Sequence, residues 1–263
     1  MQFKKIVTKA IVVIIVCCVV VFATKFLFKT NVNRDDKTFV VGTAAGYAPF
    51  ASINQQGEYE GFDIDIANAV ASKLNKKLDL KDLGSMTSLM MALEQGSIDA
   101  IIWGMSITQD RLKKLAMVYY QGEPTLTYPL IFWQKIPAGI KSLNDMTGLT
   151  VCVEPSSAQA HVLSKYKNVV ELQTEKVDDA LLNLQYGKAT AALVELAIAK
   201  KFKAKFPEIQ ILDVALEQDY QEQGMGIVIK HNNKNLINQI SLAVQELKNN
   251  GVIETLEKKW EMV

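Results

Sequence analysis

The stretch "IDAIIWGMSITQDR", residues 98–111, gives the first indication of an α/β sheet with a ligand site at its edge. Its first six residues are mostly apolar and predict a buried β-strand over residues 98–103. Two hydroxyl residues, Ser106 and Thr108, follow this strand, and Arg111 comes shortly after them. Ligands of open α/β sheets bind beyond the carboxyl ends of the strands. The stretch therefore predicts a ligand-binding loop that carries one guanidinium.

The Arg111 side chain has two interpretations. A planar guanidinium pairs with a carboxylate through two parallel hydrogen bonds, and free backbone N–H groups at a helix start favour the same anion. Ser106 and Thr108 would then add hydroxyl donors. In the second interpretation Arg111 lies on an exposed helix and pairs with Asp110, since arginine is commonly a surface residue. The residues alone leave both open.

Strands and helices alternate along the rest of the chain. The predicted strands are residues 38–43, 77–80, 98–103, 148–154, 189–194, 209–212 and 224–230. The predicted helices are residues 61–75, 88–96, 156–166, 177–187, 196–206, 234–250 and 252–260. The alternation occurs in residues 38–120 and again in 148–212, and it is typical of mostly parallel α/β sheets. The sequence therefore predicts two α/β lobes, with crossovers near residues 124–130 and 219–226.

Aromatic and acidic residues follow several of the predicted strands. Tyr47 either walls an apolar slot or packs in an ordinary core. Trp103 is either a core residue with a bonded indole N–H or a lid over a ligand. Glu195 is either a helix N-cap or an acceptor for an ammonium group.

The loop after strand 148–154 adds three candidates. Glu154 is either solvated or faces a cationic side chain, and Ser157 is either an N-cap or a carboxylate donor. Gln159 is either a surface residue or a ligand contact. Together these loops suit a small zwitterion better than a phosphate or a metal.

Composition excludes several classes of function. The 263 residues include 29 Lys and Arg against 28 Asp and Glu, so the net charge of +1 lacks the basic excess of a nucleic-acid binder. The two histidines, His161 and His231, have no cysteine or carboxylate neighbours at metal-ligand spacing. No nucleophile elbow, Walker loop or dinucleotide fingerprint occurs. We therefore expect no catalytic residues, no metal and no cofactor.

Residues 1–28 differ from the rest of the chain. Lys4, Lys5 and Lys9 precede an uncharged apolar run, as in a secretory signal. Cleavage after Ala23 would release the chain, whereas an uncleaved segment would anchor it in a membrane. Both outcomes imply export.

Several motifs resemble the periplasmic solute-binding proteins of ABC importers, family 3, which bind polar amino acids. The resemblance covers about residues 38–262 and is carried by "VGTAAGYAPF", "EGFDIDIANAVASKL", "GSIDAIIWGMSIT" with Arg111, and "GVIETLEKKW". The stretches "MSITQDRLKKLAMVYYQGE" and "YGKATAALVE" are most similar to the arginine-binding branch of that family.

The resemblance implies a two-lobed α/β clamshell of type II, with mixed, mostly parallel sheets and two crossover strands. Lobe 1 would comprise residues 38–124 and 225–263, and lobe 2 residues 125–224. Such a protein is not an enzyme. It would work as a monomer in the periplasm, free or held at the inner membrane by its N-terminal segment, and deliver an amino acid to an inner-membrane ABC permease.

The resemblance also implies roles for the candidate residues. Arg111 would bind the α-carboxylate with Ser106 and the backbone near Gly104, and Ser157 would assist from lobe 2. Glu195 would accept from the α-ammonium. Four residues match positions of the family's side-chain pocket: Tyr47, Met86, Trp103 and Gln159. Glu154 would accept from a cationic side chain of the ligand.

The chain also departs from the family pattern. Ala44 stands where an acid or amide is frequent, Met86 replaces a frequent aromatic residue, and Trp103 replaces a small one. Two alternatives therefore accompany the importer hypothesis. One is a membrane-tethered amino-acid sensor. The other is an enzyme that resembles dehydratases of cyclic amino acids, with Glu195 or Glu154 as the acid.

Overall fold

The computed structural model describes residues 37–262, and the predicted export or anchor segment, residues 1–28, lies outside this range. The strands are β1 Thr38–Thr43, β2 Ser52–Ile53, β3 Tyr59–Glu60, β4 Lys77–Asp82, β5 Ala100–Ile101, β6 Leu115–Gln121, β7 Thr127–Phe132, β8 Thr150–Val153, β9 Val170–Gln173, β10 Ala191–Leu193, β11 Gln210–Ala215 and β12 Met225–Lys230. The α-helices are α1 Phe62–Lys73, α2 Met86–Gln95, α3 Gln109–Leu112, α4 Ala158–Leu163, α5 Val177–Gln185, α6 Leu196–Lys205, α7 Lys234–Asn249 and α8 Val252–Lys259. Across residues 37–262, no helix has the length and apolar character needed to cross a membrane.

The strands form two large sheets and a small ribbon. The first sheet has the order β4-β1-β5-β12-β6, the second has the order β11-β7-β10-β8-β9, and β2 pairs with β3. Each large sheet is mixed, as expected, with two parallel and two antiparallel pairings, so parallel pairings do not outnumber the others. We call the first sheet with its helices lobe 1 and the second sheet with its helices lobe 2.

Local sequence explains the main elements of lobe 1. Strand β1 is β-branched and apolar and has the predicted bounds. Phe62, Ile66 and Val70 are four residues apart, so they share the fully buried face of α1. Helix α2 begins after Ser85, whose side chain accepts from the Ser88 N–H, and it ends at Gly96 with φ of 75°, as predicted.

The structure differs from the predicted elements at several strands, of which three are instructive. Strand β5 is shorter than residues 98–103, because the chain turns at Gly104, where φ is +54°. Strand β6 directly follows the short helix α3, and its apolar residues do not alternate with polar ones, so it was not predicted. Strand β9 lies at the edge of its sheet and is largely exposed, so it lacks the apolar run of a buried strand.

Two crossovers connect the sheets, one between β6 and β7 and one between β11 and β12. They are joined by two backbone hydrogen bonds between Thr125 and Glu222, of 3.1 and 3.2 Å. The Ile107 N–H donates to the Gly224 carbonyl at 2.8 Å, which ties the second crossover to the loop after β5. Strand β12 returns to the first sheet, and α7 and α8 pack against α1, as expected. The lobe bounds given above remain a proposal.

Candidate ligand-binding site

An aromatic wall forms where β1 and β5 end. The ring centroids of Tyr47 and Trp103 are 4.9 Å apart, and those of Tyr47 and Phe50 are 5.3 Å apart. The Trp103 indole N–H donates to the Ala44 carbonyl at 2.8 Å, and both residues are buried. Trp103 is therefore a core residue with its polar atom satisfied, which was the first of its two interpretations.

Arg111 connects the two lobes. Its guanidinium donates to the Ser106 carbonyl at 2.8 Å and to the Ser156 carbonyl of lobe 2 at 3.4 Å. Arg111 lies on the short helix α3, and the Thr108 hydroxyl caps this helix by accepting from the Arg111 N–H at 3.3 Å. Among residues 37–262, no carboxylate forms an ion pair with Arg111.

The surface interpretation of Arg111 fails because its proposed partner has other contacts. The Asp110 carboxylate accepts from Lys113 at 2.8 Å and lies 3.3 Å from the imidazole of His161. The guanidinium therefore remains able to pair with an incoming anion.

A chain of hydrogen bonds links the Ser106 hydroxyl to lobe 2. This hydroxyl donates to Glu195 Oε1 at 3.0 Å, and the Gln159 amide donates to the same oxygen at 2.8 Å. Ser106 and Gln159 are buried, so Gln159 is not the surface residue of its first interpretation. Glu195 occupies the N-cap position of α6, but its side chain does not cap the helix. The carboxylate faces the other lobe instead.

Glu222 is a member of this cluster that sequence reasoning missed. It is 3% exposed, and its Oε1 accepts a hydrogen bond from the Tyr128 hydroxyl. It also lies within hydrogen-bonding reach of Ser106. Burial raises its pKa to about 8, and the neighbouring charge of Glu195 adds to this effect. It lies on a crossover, where no helical or strand periodicity marks it.

The Gly104 N–H already has a partner. It donates to the carboxylate of Asp63, which also accepts from the Tyr120 hydroxyl at 2.7 Å. Burial raises the pKa of Asp63 to about 7, while these two hydrogen bonds oppose the rise. A ligand contact from the Gly104 N–H would have to break this bond, which argues against that expected contact.

The remaining predicted residues lie in lobe 2 and at the start of α2. Ser157 is buried and caps α4, accepting from the Ala160 N–H at 3.0 Å. Glu154 is partly buried rather than solvated, and burial raises its pKa to about 8 although Arg111 opposes the rise. Met86 is buried in the hydrophobic core. Glu154 lines a small cavity with Tyr47, Gln159 and Glu195.

The site has an excess of acidic groups. Burial raises the pKa of three carboxyl groups, those of Glu154, Glu195 and Glu222. The positive charge of Arg111 opposes this rise at all three. An additional cation would stabilise their ionised forms. Within residues 37–262, no grouping of histidine, cysteine and carboxylate side chains could hold a metal ion.

The chain is similar to known proteins over most of its length. The family model for bacterial extracellular solute-binding proteins, family 3, matches residues 39–262. A Chlamydia trachomatis protein named as the probable ABC transporter arginine-binding protein ArtJ is 33% identical over 234 residues, which cover 88% of this chain and 89% of that protein.

Solved structures give the same result. A mutant of ArgBP from T. maritima superimposes with a TM-score of 0.77 at 29% identity, covering 86% of this chain and 96% of that one. An ancestral arginine-binding protein bound to arginine gives a TM-score of 0.76 at 27% identity, with coverage of 85% and 98%. These likenesses confirm the two-lobed α/β fold of type II periplasmic binding proteins. The chain belongs to the bacterial extracellular solute-binding proteins, family 3.

Proposed function

We propose that this protein is the substrate-binding component of an amino-acid ABC importer and that it binds a basic, arginine-like amino acid between its lobes. One observation carries the proposal: a guanidinium that forms no ion pair within residues 37–262 lies near three carboxyl groups whose ionisation is opposed by burial. An amino acid with a cationic side chain supplies one carboxylate for the guanidinium and two cations for the acids. The names of the arginine-binding relatives support the same class of ligand.

The proposed contacts at the backbone end of the ligand follow from the observed donors. Arg111 would bind the α-carboxylate, assisted by the hydroxyls of Ser106 and Ser157. Glu195 would accept from the α-ammonium, which would replace the donors that Ser106 and Gln159 now provide. Gly104 would contribute by close approach rather than through its bonded N–H.

The side-chain pocket would lie between the aromatic wall and lobe 2. Tyr47 and Trp103 would flank the aliphatic part of the ligand, and the buried residues Met86 and Gln159 would complete the pocket. Glu154 would accept from a cationic side-chain group, which would compensate for Ala44, a residue without a polar side chain.

The proposal includes an inner-membrane permease as partner, a periplasmic location and a monomeric, non-catalytic protein. Residues 1–28 would direct export, either cleaved or retained as an anchor. Incubation with cyclic or basic amino acids followed by mass spectrometry would show no new product. Formation of a dehydrated product would favour the enzyme alternative.

A thermal-shift panel of the twenty amino acids on the purified full-length chain tests the ligand class. A ligand at 100 times its Kd stabilises the native state by about 2.7 kcal/mol, so the best ligand gives the largest rise in Tm. We expect arginine to lead the panel.

Two analogues separate the contacts at the two ends of the ligand. Citrulline lacks the side-chain cation and agmatine lacks the carboxylate, so both should bind more weakly than arginine. Citrulline binding as tightly as arginine would reject a basic ligand, and tight agmatine binding would reject the role of Arg111.

A further inference from the structure

Glu222 and Glu195 meet at one hydroxyl group. The Ser106 hydroxyl donates its only hydrogen to Glu195 Oε1 at 3.0 Å, and it also lies within hydrogen-bonding reach of Glu222. Two ionised carboxylates would therefore share a single donor. If Glu222 carries a proton, its own O–H can donate to the Ser106 oxygen, and every contact in the chain then has one donor and one acceptor.

The other contacts of Glu222 agree with a protonated carboxyl group. The Tyr128 hydroxyl donates to Glu222 Oε1, and this one neutral donor is a weak substitute for the water that burial removes. Within residues 37–262, the titratable and charged groups that act on Glu222 are Glu195, Arg111, Tyr128 and Tyr47, and Lys200 and Lys201 line the same cavity. Arg111 is the cation among the first four, and its guanidinium donates to two backbone carbonyls.

We propose that Glu222 holds a proton in the ligand-free protein and releases it to solvent when the cationic group of a ligand binds beside Glu195. This inference rests on the proposed function, since it requires a cationic ligand at the same site. The carboxylic acid of Glu222 becomes a carboxylate, its proton goes to the buffer, and the ligand cation takes over the neutralising role. Glu222 is thereby a specificity-determining residue, because a ligand without a cationic group beside Glu195 cannot replace the proton.

The coupling has a definite dependence on pH. The pKa of Glu222 in the free protein is about 8, and an adjacent cation lowers it. Ligand affinity should therefore rise with pH from 6 to 8, by up to about tenfold per pH unit for one released proton, and level off above that range. A ligand that lacks the ammonium group should show no such rise.

Isothermal titration of the full-length chain with L-arginine, in two buffers of different ionisation enthalpy, measures the released proton. We expect Glu222 to contribute about one released proton at pH 7 and much less at pH 9. The variant Glu222→Gln should lower the release by about one proton and weaken arginine binding about tenfold, since it removes a charge-assisted contact. The variant Glu254→Gln should keep the full release; Glu254 is an exposed carboxylate on α8 and serves as the matched control.

A proton release at pH 7 that is the same in Glu222→Gln as in the unchanged chain would overturn the inference. If Glu222→Gln does not fold, Tyr128→Phe replaces it. This variant removes a donor that stabilises the ionised form of Glu222, so the pH range of release should move upward.

A measurement without ligand separates this inference from the proposed function. Infrared difference spectra of the ligand-free chain between pH 6 and 9 should show the loss of a carboxylic acid C=O band that is absent from Glu222→Gln. Absence of that difference would overturn the inference even if arginine binds. Failure of every basic amino acid to bind would overturn both the proposed function and the coupling, whereas arginine binding without proton release would overturn only the coupling.

Discussion

Two groups of carboxyls whose pKa is raised by burial have opposite surroundings in this protein. Asp63 is fully buried in lobe 1 and accepts from the Gly104 N–H and the Tyr120 hydroxyl, which belong to the same lobe. Glu195 and Glu222 lie where the lobes meet; Glu195 accepts from the Ser106 hydroxyl, and Glu222 lies within hydrogen-bonding reach of it. The first group is satisfied by the protein alone. The second group needs a ligand cation or a proton to neutralise its charge. By this difference, Asp63 has a structural role, whereas Glu195 and Glu222 have a role in binding.

The largest expected effect is on stability as a function of pH. The pKa values of Asp63 and Glu222, about 7 and 8, lie above those of unfolded carboxyls. The native state therefore binds more protons than the unfolded state between about pH 4 and 8, and the free energy of unfolding should fall as pH rises. The slope is about 1.4 kcal/mol per pH unit for each such group. Urea unfolding at pH 5, 7 and 9 measures it.

Saturating ligand should remove the contribution of Glu222 to this slope and leave that of Asp63. Asp63→Asn should do the reverse. If the slope of the unfolding free energy against pH is the same with and without ligand, the proposed difference between Asp63 and Glu222 is wrong.

Asp63→Ala should be the next largest change. It leaves the Gly104 N–H and the Tyr120 hydroxyl without a partner in the core, and each buried unsatisfied group costs about 1–3 kcal/mol. We expect a loss of about 3 kcal/mol in the free energy of unfolding. The matched variant Asp65→Ala, which removes partly exposed contacts to Lys259 and Trp260, should cost less. A similar cost for both would contradict a structural role specific to Asp63.

Arg111→Ala should act on binding rather than on stability. Removing the guanidinium leaves the ligand carboxylate unpaired, which should cost at least about 2 kcal/mol, or about thirtyfold in Kd. Calorimetry with arginine measures the loss, and Lys113→Ala on the same exposed turn is the control. Unchanged affinity would reject the carboxylate site.

Gly104→Ala should have the smallest effect, and it should lower both the free energy of unfolding and the ligand affinity. Its φ of +54° is costly for alanine, by about 1–2 kcal/mol. A Cβ there would lie 3.1 Å from Tyr47 Cε1, which is too close for relaxed packing, so ligand affinity should also fall. Gly148→Ala is the control, because Gly148 has φ of +75° and open space around its Cβ position. Chemical unfolding and calorimetry on both variants would detect a difference in affinity only for Gly104.

Local signals made much of lobe 1 predictable. The β-branched run of β1, the four-residue spacing in α1 and the glycine that ends α2 each depend on neighbours in the chain. The position of Arg111 after a buried strand was predictable for the same reason, since strand ends in α/β sheets collect ligand contacts.

Tertiary contacts determined what the sequence did not show. Glu222 lies on a crossover without periodicity, and its burial depends on Tyr128 and Ser106, which are distant in sequence. The choice between N-cap and free acid at Glu195 depended on Gln159 from another helix. The antiparallel pairings of β7 and β12 arise because the crossovers reverse the chain direction, which alternation of helices and strands does not reveal.

The backbone pairing of Thr125 with Glu222 has a mechanical meaning. The crossovers are the covalent connections between the two sheets. A rotation of one lobe against the other would therefore turn about the Thr125–Glu222 pair. Points on a pivot move least, whereas the tips of both lobes sweep the widest arcs. The Glu222 carboxyl, which lies at this axis, would keep the same position in open and closed forms of the protein. It would therefore be placed to bind a solute before the lobes close.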